Sequence, residues 1–121
     1  MSDDTGYITT HVLDAAKGTP AAGLRIDLYR LDGTSRDHIR SVMTNADGRT
    51  DTPVIPQGEL RKGQYELLFH AGDYLDATGA ATQTPRFLDQ IPIRFGIADH
   101  SQHYHVPLLL SPFSYSTYRG S

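Results

Sequence analysis

Hydrophobic and polar residues alternate along several short segments of this chain, and clusters of glycine, proline, asparagine and aspartate separate the segments. This alternation is typical of strands with one buried face, because successive side chains of a strand point to opposite sides. It predicts strands at residues 8–13, 24–29, 31–34, 39–44, 63–69, 91–95, 104–110 and 113–118. A short helix is predicted over residues 72–81, and turns are predicted at 32–33 and 45–48.

Many short strands with one helix predict an all-β sandwich. Residues 1–121 form a single predicted domain, because the chain has no linker, internal repeat or low-complexity segment. A chain of this size can bury a hydrophobic core without disulfide bonds, and it contains no cysteine.

The charge balance excludes some classes of partner. The chain has 11 Lys and Arg residues against 14 Asp and Glu residues, a net charge of −3 without a block of like charges. This argues against nucleic acid and membranes as partners, since both are bound through clustered cations or apolar spans. No apolar run approaches the ~20 residues that cross a bilayer, and the first residues do not resemble a signal peptide. We therefore expect a soluble, cytoplasmic protein.

Two polar residues near predicted turns and strands are candidates for chemistry. His11 lies in a short, mostly apolar strand, where an imidazole is either satisfied in the core or faces a cleft, and this stretch alone favours the core. Arg49 follows the Asp47-Gly48 turn. It is either a solvated side chain after an ordinary turn or a cation that the turn aims at an anionic ligand. Its planar guanidinium suits the second role, because it binds delocalised anions through two hydrogen bonds.

A third candidate is the pair His103 and His105. In a strand the two imidazoles lie on the same face, about 6.6 Å apart at a ~3.3 Å rise per residue. Such a pair could share a zinc ion, but no carboxylate follows at a suitable spacing. The pattern therefore favours no metal.

The parity of the strand at 104–110 suggests where His105 points. The alternate residues on the other face are continuously apolar and should meet the core: Tyr104, Val106, Leu108 and Leu110. His105 then lies on the outer face, beside the face of the next strand that carries Ser116 and Tyr118. A site on an outer face needs a cover, so we predict an oligomer in which another copy closes the site.

Several motifs, met in order along nearly the whole chain, resemble those of the 5-hydroxyisourate hydrolases, a transthyretin-like family of urate degradation. These motifs are THVLD at 10–14 with GTPA at 18–21, TNADGRT at 44–50, HYHVPLLLSP at 103–112, and YRGS at 118–121. The last motif distinguishes the hydrolases from the transthyretins, which share the fold and carry thyroid hormone.

The resemblance implies a transthyretin-like β-sandwich of two four-stranded antiparallel sheets with one short helix. It implies a homotetramer, a dimer of dimers, with active sites in the channel between dimers and no cofactor. It assigns His11, Arg49 and His105 to catalysis. It assigns the following residues to substrate binding: Ser116, Tyr118, Arg119, Gly120 and Ser121.

The implied reaction is hydrolysis of 5-hydroxyisourate to 2-oxo-4-hydroxy-4-carboxy-5-ureidoimidazoline, with water activated by histidine and charge stabilised by arginine. Two alternatives stay open at this point. One is a transthyretin-type protein that binds a small ligand without turnover, and the other is a zinc-dependent hydrolase that uses His11, His103 and His105.

Overall fold

The computed structural model describes residues 4–80 and 83–120 of the chain. The strands and the helix in these residues follow in this order: β1 (Tyr7–Thr9), β2 (Val12–Asp14), β3 (Thr19–Pro20), β4 (Arg25–Asp32), β5 (Ser35–Met43), β6 (Gly63–His70), α1 (Ala71–Ala77), β7 (Gln90–Ile97), β8 (His103–His105), β9 (Leu108–Ser111) and β10 (Ser114–Thr117).

Two four-stranded sheets form the sandwich. Their strand orders are β10-β9-β2-β3 and β5-β4-β6-β7, and a two-stranded sheet pairs β1 with β8. Neighbours in the two large sheets run antiparallel except β2 and β9, which are parallel, as are β1 and β8. The predicted fold, two four-stranded sheets with one short helix, is confirmed.

The core lies between the two large sheets. Its fully buried side chains alternate along the strands and include Ile8, Val12, Leu24, Ile26, Leu28, Leu67, Phe69, Leu108 and Leu110. The predicted parity of residues 104–110 is confirmed at most positions, because Tyr104, Val106, Leu108 and Leu110 are buried whereas His105 and Leu109 are partly exposed. Pro107 is an exception and is buried.

Two predicted strands are each divided in the structure. Residues 8–13 form β1 and β2, and residues 104–110 form β8 and β9, with both breaks at the same level. Pro107 has no N–H for a ladder bond, and the amides on either side bond to β1 and β2 instead. Val106 N donates to Thr9 O and Leu108 N donates to His11 O, each at 2.9 Å. His11 lies within the first break, and His105 is the last residue of β8, directly before the second break.

Two predicted boundaries are corrected by the structure. Residues 31–34 do not form a separate strand, because β4 continues to Asp32, the chain turns at Gly33 with φ 60°, and β5 starts at Ser35. The helix ends at Ala77, before the predicted residue 81, because Gly79 adopts φ 74° and stops it. Residue 81 lies outside the described residues.

The buried face of the helix fixes it to the first sheet. Tyr74 donates a 2.8 Å hydrogen bond to Asp14 Oδ2 of β2. Burial and the neighbouring Asp14 carboxylate raise the pKa of Tyr74 to about 12. No helix in the described part of the chain has the length and apolar character to cross a membrane.

Candidate active site

The predicted turn at 45–48 brings Arg49 directly opposite His11. The side-chain oxygen of Asn45 accepts hydrogen bonds from Asp47 N at 2.9 Å and from Arg49 N at 3.2 Å, which closes the turn. The backbone of Arg49 then forms an isolated antiparallel bridge with His11. Two residues that are far apart in sequence, and were predicted separately, are therefore neighbours in the structure.

Gly48 makes this close approach possible. Its φ is +74°, and a Cβ at this position would lie 2.4 Å from Val12 O and 3.2 Å from His11 Cδ2. Only glycine has both the left-handed conformation and the absent side chain that these distances require. The glycine of the turn thus sets the separation between the arginine segment and the histidine ring.

His105 is fixed by backbone pairing on both sides. It lies opposite Thr9 in the β1–β8 sheet and forms an isolated bridge with Gly120 on the other side. His105 N donates to Gly120 O at 3.3 Å, and Gly120 N donates to His105 O at 2.7 Å. The HYHVPLLLSP motif at 103–112 and the YRGS motif at 118–121 therefore meet at the His105 backbone.

The surroundings of His105 favour its neutral form. Burial is the largest cause that lowers the pKa of the His105 imidazole, and the charge of Arg49 lowers it further, with smaller effects from the neighbouring rings of His103 and His11 when they are protonated. Burial and nearby positive charge both raise the free energy of the protonated ring relative to the neutral ring. Near neutral pH this imidazole is therefore available to accept a proton.

Thr9 lies between the two histidines of β8 and was not singled out from the sequence. Its hydroxyl oxygen is 2.6 Å from His103 Nε2 and 2.8 Å from His105 Nδ1. Strand parity was the available signal, because Tyr7, Thr9 and His11 are alternate, partly exposed residues between fully buried ones. Among the residues the structure describes, no group of three or more His, Asp or Glu side chains is placed to hold a metal ion.

A cleft of about 140 Å³ borders this region. Its lining combines the arginine with small hydroxyl side chains: Thr9, Thr10, Arg49, Thr50, Asp51, Thr52 and Pro53. The guanidinium and the hydroxyl groups can hold a small polar molecule through hydrogen bonds, beside the Asp51 carboxylate of the same lining. The cleft adjoins the bridge that joins Arg49 to His11.

The other predicted binding residues are distributed along the last strand and the segment after it. Ser116 is exposed opposite Leu109, and Tyr118 is 58% exposed. Arg119 stacks over the Tyr104 ring at 4.0 Å and donates a 2.8 Å hydrogen bond to Gln102 Oε1. Ser121, also predicted to bind substrate, lies outside the described residues.

Tyr118 and Arg119 line a second cleft. This cleft has a volume of about 240 Å³ and a mostly apolar lining: Ile93, Arg94, Phe95, Gly96, Tyr104, Val106, Thr117, Tyr118 and Arg119. Within one chain, the structure brings His11, Arg49, His105 and Gly120 together. The side chain of Arg119 is instead held by Gln102 and Tyr104.

A two-sheet β-sandwich with one short helix, in which one backbone bridge joins His11 to Arg49 and another joins His105 to Gly120, has the architecture of a transthyretin-like protein. The family model described as the HIUase/Transthyretin family matches residues 8–120. The chain therefore belongs to the HIUase/Transthyretin family.

Comparisons with individual proteins agree with this membership. The chain is 60% identical over 118 residues to the 5-hydroxyisourate hydrolase of Mesorhizobium japonicum, an alignment that covers 98% of this chain and 94% of the relative. Because this and further hydrolases match over almost their whole length, the chain is an enzyme of the same hydrolase type.

Two solved structures share the fold. A crystal structure of (S)-allantoin synthase superposes with a TM-score of 0.93 at 47% identity, covering 99% of this chain, which spans only 45% of that longer chain. Sea bream transthyretin in complex with thyroxine superposes with a TM-score of 0.83 at 27% identity, covering 93% of each chain. The fold is thus shared between enzymes and a binding protein, so the side chains of the site decide between these functions.

Proposed function

We propose that this chain hydrolyses 5-hydroxyisourate to 2-oxo-4-hydroxy-4-carboxy-5-ureidoimidazoline, with His11, Arg49 and His105 as its catalytic residues. The observation that carries the proposal is that one backbone bridge joins His11 to Arg49, another joins His105 to Gly120, and Arg49 and His11 are near enough to His105 to lower its pKa. The names of the relatives that align over the full chain supply the substrate.

His105 acts as the general base. It accepts a proton from a water molecule whose oxygen attacks C6 of the substrate, and a tetrahedral oxyanion forms at C6. When this intermediate collapses, the N1–C6 bond breaks, N1 takes up the proton from the imidazolium, and C6 becomes a carboxylic acid group, which releases its proton to solvent and gives the carboxylate of the product. The histidine is neutral at the start and at the end, as a general base and then acid must be. The lowered pKa of His105 supports the first step, because a neutral ring is needed to accept the proton.

Arg49 stabilises the negative charge of the substrate ring and of the oxyanion. Its position opposite His11 supports this role, and one well-placed donor to an oxyanion is worth about 3 kcal/mol. His11 orients the attacking water from the same side. No step requires a cofactor or a covalent enzyme intermediate.

The residues proposed to bind substrate are Ser116, Tyr118, Arg119, Gly120 and Ser121. Because Tyr118 and Arg119 line the second cleft and Arg119 packs on Tyr104, we propose that a homotetramer, a dimer of dimers, completes the site across its interfaces. Exposed aromatic side chains support such interfaces, notably Phe87, Phe113, Tyr115 and Tyr118. The cytoplasmic location stays a prediction.

The reaction is tested by generating 5-hydroxyisourate in situ from urate with urate oxidase and following its near-ultraviolet absorbance. The proposal expects faster decay with the protein than in a blank, and a product that arises by ring opening. Decay equal to the blank with folded protein contradicts it and favours a transthyretin-type binding function. Loss of activity on chelation, with recovery on adding zinc, contradicts the cofactor-free mechanism.

A further inference from the structure

The Thr9 hydroxyl joins His105 to a second histidine that the proposed reaction does not use. Thr9 Oγ1 lies 2.6 Å from His103 Nε2 and 2.8 Å from His105 Nδ1. The His103 ring is itself held in place, because it stacks on Tyr7 with a centroid distance of 4.1 Å and an interplanar angle of 6°. The three polar groups therefore form a short chain of hydrogen bonds behind the proposed base.

A hydroxyl has one hydrogen to donate, so this chain has a direction. If Thr9 donates to His103 Nε2, then His105 must donate its Nδ1 hydrogen to Thr9. The Nε2 atom of a neutral His105 is then unprotonated and can accept a proton. If Thr9 donates to His105 Nδ1 instead, Nε2 carries the hydrogen and cannot act as a base.

We propose that Thr9 is a positioning residue for His105. Its hydroxyl donates to His103 Nε2 and accepts from His105 Nδ1, and this holds His105 in the tautomer whose Nε2 is free to accept a proton from water. This inference rests on the proposed function, in which His105 is the general base. A histidine base in other sites is held by the same kind of bond from its second ring nitrogen, which fixes both the ring orientation and the tautomer.

This direction fits the role proposed for His105. Burial and the charge of Arg49 favour the neutral His105 ring, which has one N–H to place on either nitrogen. The 2.8 Å contact to Thr9 lies at Nδ1, the nitrogen that must carry this hydrogen if Nε2 is to be the base. Backbone pairing places Thr9 opposite His105, which keeps the hydroxyl within reach of the imidazole.

Substitutions at Thr9 separate the hydroxyl from the shape of the side chain. Thr9→Val removes the hydroxyl at almost constant volume, and we expect kcat to fall about 10- to 100-fold, as when a partner behind a catalytic histidine is lost. Thr9→Ser keeps the hydroxyl and is expected to recover most of the activity. Wild-type kcat in Thr9→Val, or a Thr9→Ser variant as slow as Thr9→Val, would overturn the inference.

Substitutions at His103 test the other end of the chain. His103→Phe keeps a ring to stack on Tyr7 but removes the acceptor, and it is expected to lower kcat as Thr9→Val does. His103→Gln supplies an amide oxygen near the position of Nε2 and is expected to be faster than His103→Phe. Equal, undiminished turnover in both His103 variants would contradict a role for this residue.

Nitrogen NMR of histidine-labelled protein reads the tautomer directly and does not depend on turnover. In the wild-type protein His105 is expected to carry its hydrogen on Nδ1, and Thr9→Val is expected to lose this preference. A hydrogen on Nε2 in the wild-type protein would overturn the inference. Absence of turnover in a protein with the Nδ1–H tautomer would instead count against the proposed function.

Discussion

His105 and Gly120 exchange two backbone hydrogen bonds, with N–O distances of 3.3 Å and 2.7 Å. A Cβ on Gly120 would lie 2.9 Å from Cδ2 of the His105 ring and 3.0 Å from its Cβ. The chain after β10 is therefore tied to the backbone of the proposed base, at a distance that only glycine allows.

The first prediction concerns this contact. Gly120→Ala places a methyl group against the His105 ring, which must then shift, so we expect kcat to fall by about tenfold or more, since ~1 Å misplacements can cost about 100-fold. The melting temperature should change little, because Gly120 lies outside the core.

The matched control for this prediction is Gly96→Ala. A Cβ on Gly96 meets no atom within 4 Å, and its φ lies outside the left-handed range. Steady-state kinetics should separate the two variants. Equal kcat values for Gly120→Ala and Gly96→Ala would show that the contact with His105 has no functional effect.

The second prediction concerns pH. Because burial and nearby cations lower the pKa of His105 below its ordinary 6.5, the ring stays neutral below that pH, and activity should be lost only as pH falls further. Arg49→Gln removes one of these cations and should raise the midpoint of the His105 titration. An NMR titration of the His105 ring protons measures the midpoint in the wild-type protein and in Arg49→Gln. An unchanged midpoint in Arg49→Gln would contradict the electrostatic effect of Arg49 on His105.

The third prediction concerns stability at a carboxylate far from the site. Asp27 of β4 is buried, at 4% exposure, and accepts hydrogen bonds from Ser41 and from His70 Nε2 at 2.8 Å, beside Arg25 at 3.2 Å. Burial on its own raises the pKa of Asp27, but these hydrogen bonds and the Arg25 charge outweigh it and lower the pKa to about 2.

A carboxylate with a depressed pKa stabilises the fold above its unfolded pKa of 3.8, and the effect is lost as pH falls towards 2. The depression corresponds to about 2 kcal/mol at neutral pH. Asp27→Asn should therefore lower the melting temperature at pH 7 and flatten its decline between pH 4 and pH 2. Asp37→Asn, at an exposed position of β5, is the control. Equal melting temperatures for Asp27→Asn and Asp37→Asn at pH 7 would contradict a stabilising role of the Asp27 carboxylate.

Much of the fold follows from local sequence patterns. Alternation located most strands, and the parity of residues 104–110 correctly separated the buried Tyr104 and Leu108 from the partly exposed His105. The breaks within two predicted strands were missed, because they depend on which strands pair. Pro107 signals the absence of an amide, whereas the partners of Val106 and Leu108 are set by the tertiary fold.

The site was predicted less completely than the fold. His11, Arg49 and His105 were each noticed as chemically suitable residues, but it was the resemblance to a family that joined them. Thr9 was missed because a threonine in a short strand is ordinary by composition, and its role depends on a partner 96 residues away. The stacking of Arg119 on Tyr104 was not predicted either, since strand parity says nothing about a side chain beyond the last strand.

The most direct test of the central claim compares wild-type protein with His105→Ala in the 5-hydroxyisourate decay assay. His100→Ala, at a partly exposed position outside the site, is the control, and thermal melting confirms that each variant is folded. We expect accelerated decay by the wild type and the control, and a rate lower by about 10²- to 10⁴-fold in His105→Ala, the usual contribution of a general base. Undiminished turnover by folded His105→Ala would contradict the account.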